Sequence, residues 1–323
     1  MALVIAEFCQ NHNGDKAVLR EMIWAAAEAG ADYAKVQVIY ADTLARRERF
    51  EEGLTEDGIV KTIKRPYQQE YDRLKKLELQ YSDYQWFIAE CGKANIKPLT
   101  TVFTRGDVAS VAGLGWEAVK VASYDCASYP LLRDLKANFN HLFISTGATY
   151  DEEIEQAAEV LAGRSFTFLH CVTIYPTPLD QLNLGRLQYL RQFTDSVGFS
   201  DHTLVARDGI IASAVALHLG ADVIERHFTI LPPDQTKDGP VSINPAQVKT
   251  LSGLAHGTFA DRAAFVKDNA GDFGEMVGVA RRELTPAELL NRDYYRGRFA
   301  THLPDGSIVN NWEERPLEAE LVA

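Results

Sequence analysis

Two histidines, His202 in FSDHT and His227 in IERHF, each end an apolar segment that has the composition of a buried strand. If these strands are neighbours, the two imidazoles can converge on one divalent cation, with water in the remaining positions. Glu225 could be a third ligand or could orient one of the histidines. A lone histidine near a strand end more often caps a hydrogen bond, and it is the pair that favours a metal site. Imidazole, carboxylate and water suit several transition metals alike, so these residue types do not choose the ion.

Two lysines, Lys35 in YAKVQV and Lys120 in AVKVA, lie inside apolar segments. An ammonium group there is costly unless it meets an anion, so the lysines indicate either an anionic ligand or an internal ion pair with Glu7 or Asp125. Short hydroxyl side chains at other strand ends could join the lysines around a phosphate and a carboxylate. These hydroxyl residues are Thr101, Ser123, Ser145 and Ser200.

The candidate residues share a position, since each ends or follows a short apolar run. Each run precedes a longer stretch with helical periodicity, and this alternation is typical of βα units around a buried parallel sheet. The eight candidate strands are residues 3–7, 33–38, 97–102, 118–122, 141–145, 166–170, 196–200 and 222–227. Eight units predict an α/β fold, a (β/α)8 TIM barrel with its chemistry at the carboxyl ends of the strands; a doubly wound open sheet is the alternative.

The chain contains no Pro/Gly/Ser linker that would separate two domains. We predict a barrel domain over residues 1–280 and a short C-terminal tail over residues 281–323. Residues 41–82 form a charged insertion between the second and third strands.

Composition excludes several classes of protein. The chain has 323 residues, of which 46% are hydrophobic and 24% charged, as in globular proteins. A formal net charge of -12 argues against nucleic acid and anionic membranes as partners. The amino-terminal apolar stretch follows no basic residues, and the longest apolar run is too short to cross a bilayer. The four cysteines form no CxxC pair, which argues against structural zinc and disulfides and favours the cytoplasm.

Nine short motifs occur in an order and spacing that resemble the sialic acid (N-acetylneuraminate) synthase family, over about residues 3–283. Members condense phosphoenolpyruvate with an aldose, such as an N-acetylated hexosamine, to give a 3-deoxy-2-keto sugar acid and phosphate. The motifs are IAEFCQNHNGD (5–15), KVQ (35–37), PYQ with LKKLEL downstream (66–79), KVAS (120–123), ISTGAT (144–149), LHCVTIYPTP (169–178), GFSDHT (198–203), IERHFT (224–229) and DGPVSINP (238–245).

The resemblance implies roles for individual residues. His202 and His227 match metal ligands, with Mn²⁺ expected first and Mg²⁺ or Co²⁺ as alternatives, and Glu225 lies beside them. Tyr175 and Asp238 match contacts to the acceptor sugar. The residues matched to phosphoenolpyruvate binding are Lys35, Thr101, Lys120, Ser123, Ser145 and Ser200, and Gln37 of the KVQ motif is a further substrate-binding candidate.

Three positions depart from the family pattern. Asp125 replaces a glutamate that touches the acceptor, and Thr173, also a substrate-binding candidate, replaces an asparagine. Asn13 replaces a glutamate that handles the attacking water in some members, so that role would pass to Glu7, Asp125 or metal-bound water. The candidate catalytic residues are therefore Glu7, Asn13, Asp125 and Glu225.

The largest departure is at the carboxyl end. Family members generally continue into an antifreeze-like domain, whose arginine reaches the active site of a neighbouring subunit, and residues 281–323 lack that pattern. Arg292, Arg296 or Arg298 could supply the missing contact, or the tail could simply pack on the barrel or on a partner subunit. The resemblance also implies a homodimer.

The sequence thus predicts an enzyme, a phosphoenolpyruvate-dependent synthase of sialic or nonulosonic acid type, with an aldose of unknown identity as acceptor. Two alternatives stay open. A metal-dependent barrel aldolase would use the same histidines and lysines without phosphoenolpyruvate, and a non-catalytic barrel would only bind a sugar.

Overall fold

Strands and helices alternate along the chain in a computed structural model that describes residues 1–317. In chain order the strands are β1 (Leu3–Cys9), β2 (Tyr33–Val38), β3 (Leu54–Glu56), β4 (Ile59–Thr62), β5 (Lys97–Val102), β6 (Ala118–Val121), β7 (His141–Ser145), β8 (Ser165–Cys171), β9 (Ser196–Asp201), β10 (Val223–His227), β11 (Thr301–His302) and β12 (Ile308–Val309). The helices are α1 (Lys16–Glu28), α2 (Arg49–Glu52), α3 (Tyr67–Leu77), α4 (Tyr81–Lys93), α5 (Val108–Ala112), α6 (Tyr129–Asn138), α7 (Asp151–Leu161), α8 (Arg186–Leu190), α9 (Val205–Asp208), α10 (Ile211–His218), α11 (Pro245–His256), α12 (Phe259–Asn269), α13 (Gly274–Val277) and α14 (Pro286–Tyr295).

Eight of these strands close into a barrel, in the order β1-β2-β5-β6-β7-β8-β9-β10 and back to β1. Every neighbouring pair in the barrel is parallel. The predicted TIM barrel is therefore confirmed and the open sheet is wrong. The observed strand bounds lie within two residues of the predicted ones.

Alternation along each strand separates two layers of side chains. Outward-facing residues such as Val4, Ala34 and Val119 join the apolar layer between strands and helices. Inward-facing residues near the amino ends of the strands form a second apolar cluster that fills the barrel floor, because closed eight-stranded barrels pack side chains inside. This floor cluster consists of Ile5, Leu99, Ala118, Phe143, Leu169 and Val223.

Helix starts follow the local sequence. Asp15 caps α1, where its carboxylate accepts from the backbone N–H of Ala17 at 2.7 Å. Three acidic residues occupy the first turn of α7, where the helix dipole favours negative charge.

The insertion and the tail both lie outside the barrel repeat. Residues 41–82 contain α2, the antiparallel hairpin of β3 and β4, and α3. Within the part of the tail that is described, 281–317, α14 is followed by the short antiparallel pair of β11 and β12. The last six residues of the predicted tail lie outside the described residues, and the domain boundary at residue 280 stays a prediction. No helix in residues 1–317 is both long and apolar enough to span a bilayer.

Candidate active site

A layer of four buried charges lies directly above the floor cluster. Lys35 on β2 pairs with Glu7 on β1, and its Nζ lies 3.4 Å from Oε2 of Glu225 on β10. The Nζ of Lys120 on β6 lies 3.8 Å from Oε1 of the same glutamate. All four side chains are buried. The predicted internal pair of a lysine with Glu7 is present, whereas Lys120 faces Glu225 instead of Asp125.

Three of the predicted hydroxyl residues complete this charged layer. Thr101 accepts a hydrogen bond from Lys35 at 3.2 Å, and Ser145 accepts one from Lys120 at 2.7 Å. The hydroxyl of Ser200 donates to Glu225 at 2.7 Å. These contacts fix the rotamers of both lysines, so the ammonium groups are held in place before any ligand arrives.

Ser123 lies at the edge of the layer, in the 3₁₀ turn Ser123–Asp125 that follows β6. Its hydroxyl contacts the thiol of Cys171, which ends β8. Gly147 lies opposite, where a side chain would collide with Thr173 and with this serine. The glycine of the ISTGAT motif is therefore required by close packing at the barrel mouth.

The charged layer holds its carboxylate ionised. Burial acts to raise the pKa of Glu225, but Lys120, Lys35 and the Ser200 hydroxyl together lower it to about 2. Burial lowers the pKa of Lys35 to about 8, against the attraction of Glu225. Near neutral pH the layer thus contains an ionised glutamate and a largely protonated Lys35.

His202 and His227 lie together above the charged layer, with ring centroids 5.3 Å apart. Burial lowers the pKa of both imidazoles, and the neutral form that results is the one that binds metal. The ring of Tyr175 covers His202 at 4.1 Å between centroids. The predicted convergence of the two histidines is therefore present in the structure.

The surroundings of His227 fit a cation. Its Nδ1 atom is buried without a hydrogen-bond partner, and the nearest carboxylate oxygen, on Asp238, is 3.9 Å away. That distance is too long for a hydrogen bond. A ligand atom from each of Cys9, His227 and Asp238 lies within 4.8 Å of the other two. An orphaned ring nitrogen beside a carboxylate and a thiol has the donor chemistry of a divalent-metal site.

Asp125 belongs to a separate part of the barrel mouth. Its carboxylate accepts hydrogen bonds from Asn311 at 2.9 Å and Ser128 at 3.0 Å. Burial raises the pKa of Asp125 to about 6, because desolvation outweighs both hydrogen bonds. Asp125 can therefore exchange a proton near neutral pH.

A cavity of about 310 Å³ opens beside Asp125, with walls from both the barrel loops and the tail. Its lining residues are Phe103, Ala122, Tyr124, Asp125, Tyr295, Gly297, Arg298, Phe299 and Asn311. The ring of Tyr295 stacks on Tyr124 at 4.9 Å, which joins the two walls.

The tail packs on the mouth of its own barrel. The side-chain amide of Asn291 donates to the backbone carbonyl of Thr173 at 2.7 Å. Arg292 and Arg296 both contact Glu153, at 2.5 Å and 3.4 Å. Arg298 pairs with Glu70 and lines the cavity, so it is the arginine of the three that faces possible ligands.

Two predicted site residues lie away from the buried layer. Asn13 is exposed, and its amide donates to the backbone carbonyl of Gln235 at 3.1 Å. Gln37 is half-buried and lines a small cavity with Cys9 and His12. The structure does not bring Asn13 to the charged layer.

The site also contains residues that are not among the predicted ones. Cys171 has the inward parity of Leu169, two residues earlier on β8, so strand parity could have identified it. Parity does not identify Cys9, because the β1–β2 register shifts between Glu7 and Cys9. Asn311 had no such signal, because its contact with Asp125 joins positions 186 residues apart. His170, also at a strand end, faces outward, with Nε2 2.6 Å from the carbonyl oxygen of Leu182.

An eight-stranded parallel barrel with buried lysines, carboxylates and paired histidines at the carboxyl ends of its strands defines an α/β-barrel enzyme site. The sequence profile of the NeuB family matches residues 22–259, and the chain belongs to that family. Family membership confirms the predicted class, a synthase of sialic acid type, whereas the role of each site residue stays a prediction.

Named relatives agree with this assignment. The chain is 34% identical to an N,N'-diacetyllegionaminic acid synthase of Campylobacter jejuni, over 95% of this chain and 91% of the relative. It is 31% identical to the protein of the same name from Legionella pneumophila, over 77% of this chain and 69% of that one. A crystal structure of an N-acetylneuraminic acid synthetase from Leptospira borgpetersenii superposes with a TM-score of 0.67 at 24% identity, covering 91% and 90% of the two chains, which shows the shared fold.

Proposed function

We propose that the protein condenses phosphoenolpyruvate with an aldose to give a 3-deoxy-2-keto sugar acid and phosphate. The observation that carries this proposal is the layer of Lys35, Lys120, Glu7 and Glu225 directly beneath two neutral histidines. Membership of the NeuB family supports the same reaction class.

The two lysines are suited to the anionic groups of phosphoenolpyruvate. Their separations from Glu225, 3.4 and 3.8 Å, exceed the roughly 2.7–2.9 Å of a charge-assisted hydrogen bond. Neither ammonium group is therefore in a tight pair with that glutamate, and a phosphate or carboxylate can approach both lysines in the positions in which Thr101 and Ser145 hold them. Thr101, Ser145 and Ser200 would add hydroxyl groups around the same ligand.

The formal charges of the two lysines and two glutamates sum to zero. A trianionic substrate placed among them needs further positive charge, since buried unbalanced charge is costly. His202 and His227 would hold a divalent cation, for which we expect Mn²⁺, with Mg²⁺ or Co²⁺ as alternatives. When bound, such an ion supplies Lewis-acid polarisation of the acceptor aldehyde.

In the reaction, the alkene electron pair of phosphoenolpyruvate forms a C–C bond from the methylene carbon to the aldehyde carbon, and the aldehyde C=O π bond opens to an alkoxide that takes up a proton. Water adds at C2 and gives up one proton, which balances that uptake. The C2–O bond to phosphate then breaks as C2=O forms, and the proton of the C2 hydroxyl leaves with phosphate. We assign the proton of that water to Glu7, because Glu7 contacts Lys35 and lies opposite His227 in the β1–β10 register. Glu225, ionised and shared by both lysines, positions them.

The cavity beside Asp125 would hold the aldose. This cavity presents a carboxyl group, an amide and a guanidinium, which can hydrogen-bond the polar groups of a sugar. Two relatives are named for N,N'-diacetyl products. We therefore expect an acceptor of N-acetylhexosamine type, with Tyr175 and Asp238 as further contacts.

The test is to incubate the purified protein with phosphoenolpyruvate, a divalent metal and a panel of aldoses, and to measure phosphate and 2-keto acid together. We expect the wild-type protein to form phosphate and 2-keto acid in equal amounts, and only when one particular aldose is present. The control Lys249→Ala, which changes an exposed residue, should give the same result. Retro-aldol cleavage without phosphoenolpyruvate would favour the aldolase alternative. Tight sugar binding without turnover would favour the non-catalytic barrel.

A homodimer and a cytoplasmic location are also part of this proposal. Light scattering coupled to size-exclusion chromatography measures the first, and cell fractionation the second.

A further inference from the structure

We infer that Cys9 is a direct ligand of the cation, so that its thiolate, the imidazole of His227 and the carboxylate of Asp238 form one mixed donor set. The inference rests on the proposed function for the presence of a cation at the barrel mouth. It does not depend on turnover of phosphoenolpyruvate.

The spacing of the three donors fits a single ion. One ligand atom from each residue lies within 4.8 Å of the other two, and His227 Nδ1 is 3.9 Å from Asp238 Oδ2. Metal–sulfur bonds of about 2.3 Å and metal–nitrogen or metal–oxygen bonds of about 2.0–2.2 Å place two ligands of one ion between about 3 and 4.5 Å apart, depending on the angle at the ion. The separation of His227 Nδ1 from Asp238 Oδ2, 3.9 Å, lies in this range.

The backbone at Cys9 is arranged to aim its side chain. Cys9 has a φ of 47°, a left-handed conformation that favours glycine, yet the position carries a cysteine. The β1–β2 register also shifts between Glu7 and Cys9, and the Cys9 N–H donates to the Glu7 carboxylate at 2.5 Å. Strand irregularities of this kind commonly redirect a side chain at an active site. A ligand role accounts for a thiol at this unfavourable position.

The unpartnered Nδ1 of buried His227 is independent support. Buried polar atoms in folded proteins are nearly always satisfied, and this one faces the carboxylate of Asp238 at a distance that excludes a hydrogen bond. The ring of His202 lies next to that of His227, with ring centroids 5.3 Å apart.

A thiolate in the donor set changes which ions the site prefers. Sulfur ligands favour transition ions such as Zn²⁺ and Co²⁺ over Mg²⁺, which takes oxygen ligands. We therefore expect the site to discriminate strongly against Mg²⁺ through Cys9.

The experiment titrates metal-free full-length protein with Co²⁺ and records the sulfur-to-cobalt charge-transfer absorption in the near ultraviolet. The wild-type protein should show this band, Cys9→Ser should lose it, and the matched control Cys91→Ala, which removes a buried thiol on α4, should keep it. Cys9→Gly is a second variant that should also lose the band. Glycine adopts the positive φ at this position without strain, so this variant separates loss of the thiol from a folding defect.

Calorimetric titration measures the affinity of the protein for each metal ion. We expect Co²⁺ and Zn²⁺ binding to weaken at least about 100-fold in Cys9→Ser, because loss of even an outer-shell partner costs about 10–100-fold. Mg²⁺ binding should change little. The inference is overturned if the band is absent from the wild-type protein, if it persists in Cys9→Ser and vanishes in Cys171→Ala, or if Mg²⁺ and Zn²⁺ weaken equally. None of these results concerns catalysis, so they leave the proposed reaction to its own test.

Discussion

Replacement of Asp125 by asparagine should change how the protein's stability depends on pH. The side chain is buried with 8% of its surface exposed, and burial raises its pKa from the ordinary 3.8 to about 6. Asparagine keeps an oxygen that can accept from Asn311 and Ser128, so the hydrogen bonds of Asp125 survive the change.

The sign follows from proton linkage. Well below pH 3.8 the residue is protonated in both the folded and the unfolded chain. As the pH rises toward 6, the unfolded chain loses its proton first, so the folded wild-type protein becomes less stable, and above pH 6 the loss is complete. The difference between 3.8 and about 6 corresponds to about 3 kcal/mol. Asp125→Asn escapes this penalty.

Urea unfolding followed by tryptophan fluorescence at several pH values measures the effect. Relative to the wild-type protein, Asp125→Asn should gain about 2 to 3 kcal/mol of unfolding free energy between pH 4 and pH 8. The exposed control Asp268→Asn should show no such trend. A difference between Asp125→Asn and the wild-type protein that stays constant across this range would refute the reasoning.

Three further changes test the site. Lys120→Met should lower kcat/KM for phosphoenolpyruvate by about 100- to 1,000-fold, because it removes one of two buried cations. Steady-state kinetics at a fixed acceptor concentration measure this effect, and a change in acceptor KM alone would contradict it. Asn311→Ala should raise the acceptor KM about tenfold. It should also shift the acid limb of the pH–activity profile to higher pH, because the lost hydrogen bond no longer lowers the pKa of Asp125. An unchanged pH–activity profile would count against the contact. His202→Ala should abolish turnover as chelation does, and full activity in either assay would remove the cation from the reaction.

The strands of the barrel could be predicted because parallel strands buried on both faces are continuous apolar runs. The two lysines could be predicted for the same reason, since a charge inside such a run needs an anion, and the structure places Glu225 near both. The paired histidines followed from their positions at the ends of adjacent strands.

Other features had no local signal. A free cysteine is among the residue types that are most often buried and packs like a small apolar side chain, so the residue type of Cys9 did not distinguish a metal ligand from a core residue. Asn13 has a φ of 53°, and its amide faces the loop of Gln235, an orientation that a strand-end argument could not foresee. The contact of Asn311 with Asp125 depends on how the tail docks, which a single sequence leaves open.

The apolar floor of the barrel has a kinetic consequence. Ile5, Phe143 and their neighbours fill the end of the barrel at the amino ends of the strands, so a ligand can approach the charged layer only from the opposite end. Lys35 and Lys120 lie directly above this apolar cluster, whereas the cavity lined by Tyr295 and Asp125 lies at the mouth of the barrel. A sugar that arrived first would obstruct the passage of the smaller anion, so we expect compulsory-order association in which phosphoenolpyruvate enters first and phosphate cannot depart until the long keto acid has cleared the opening.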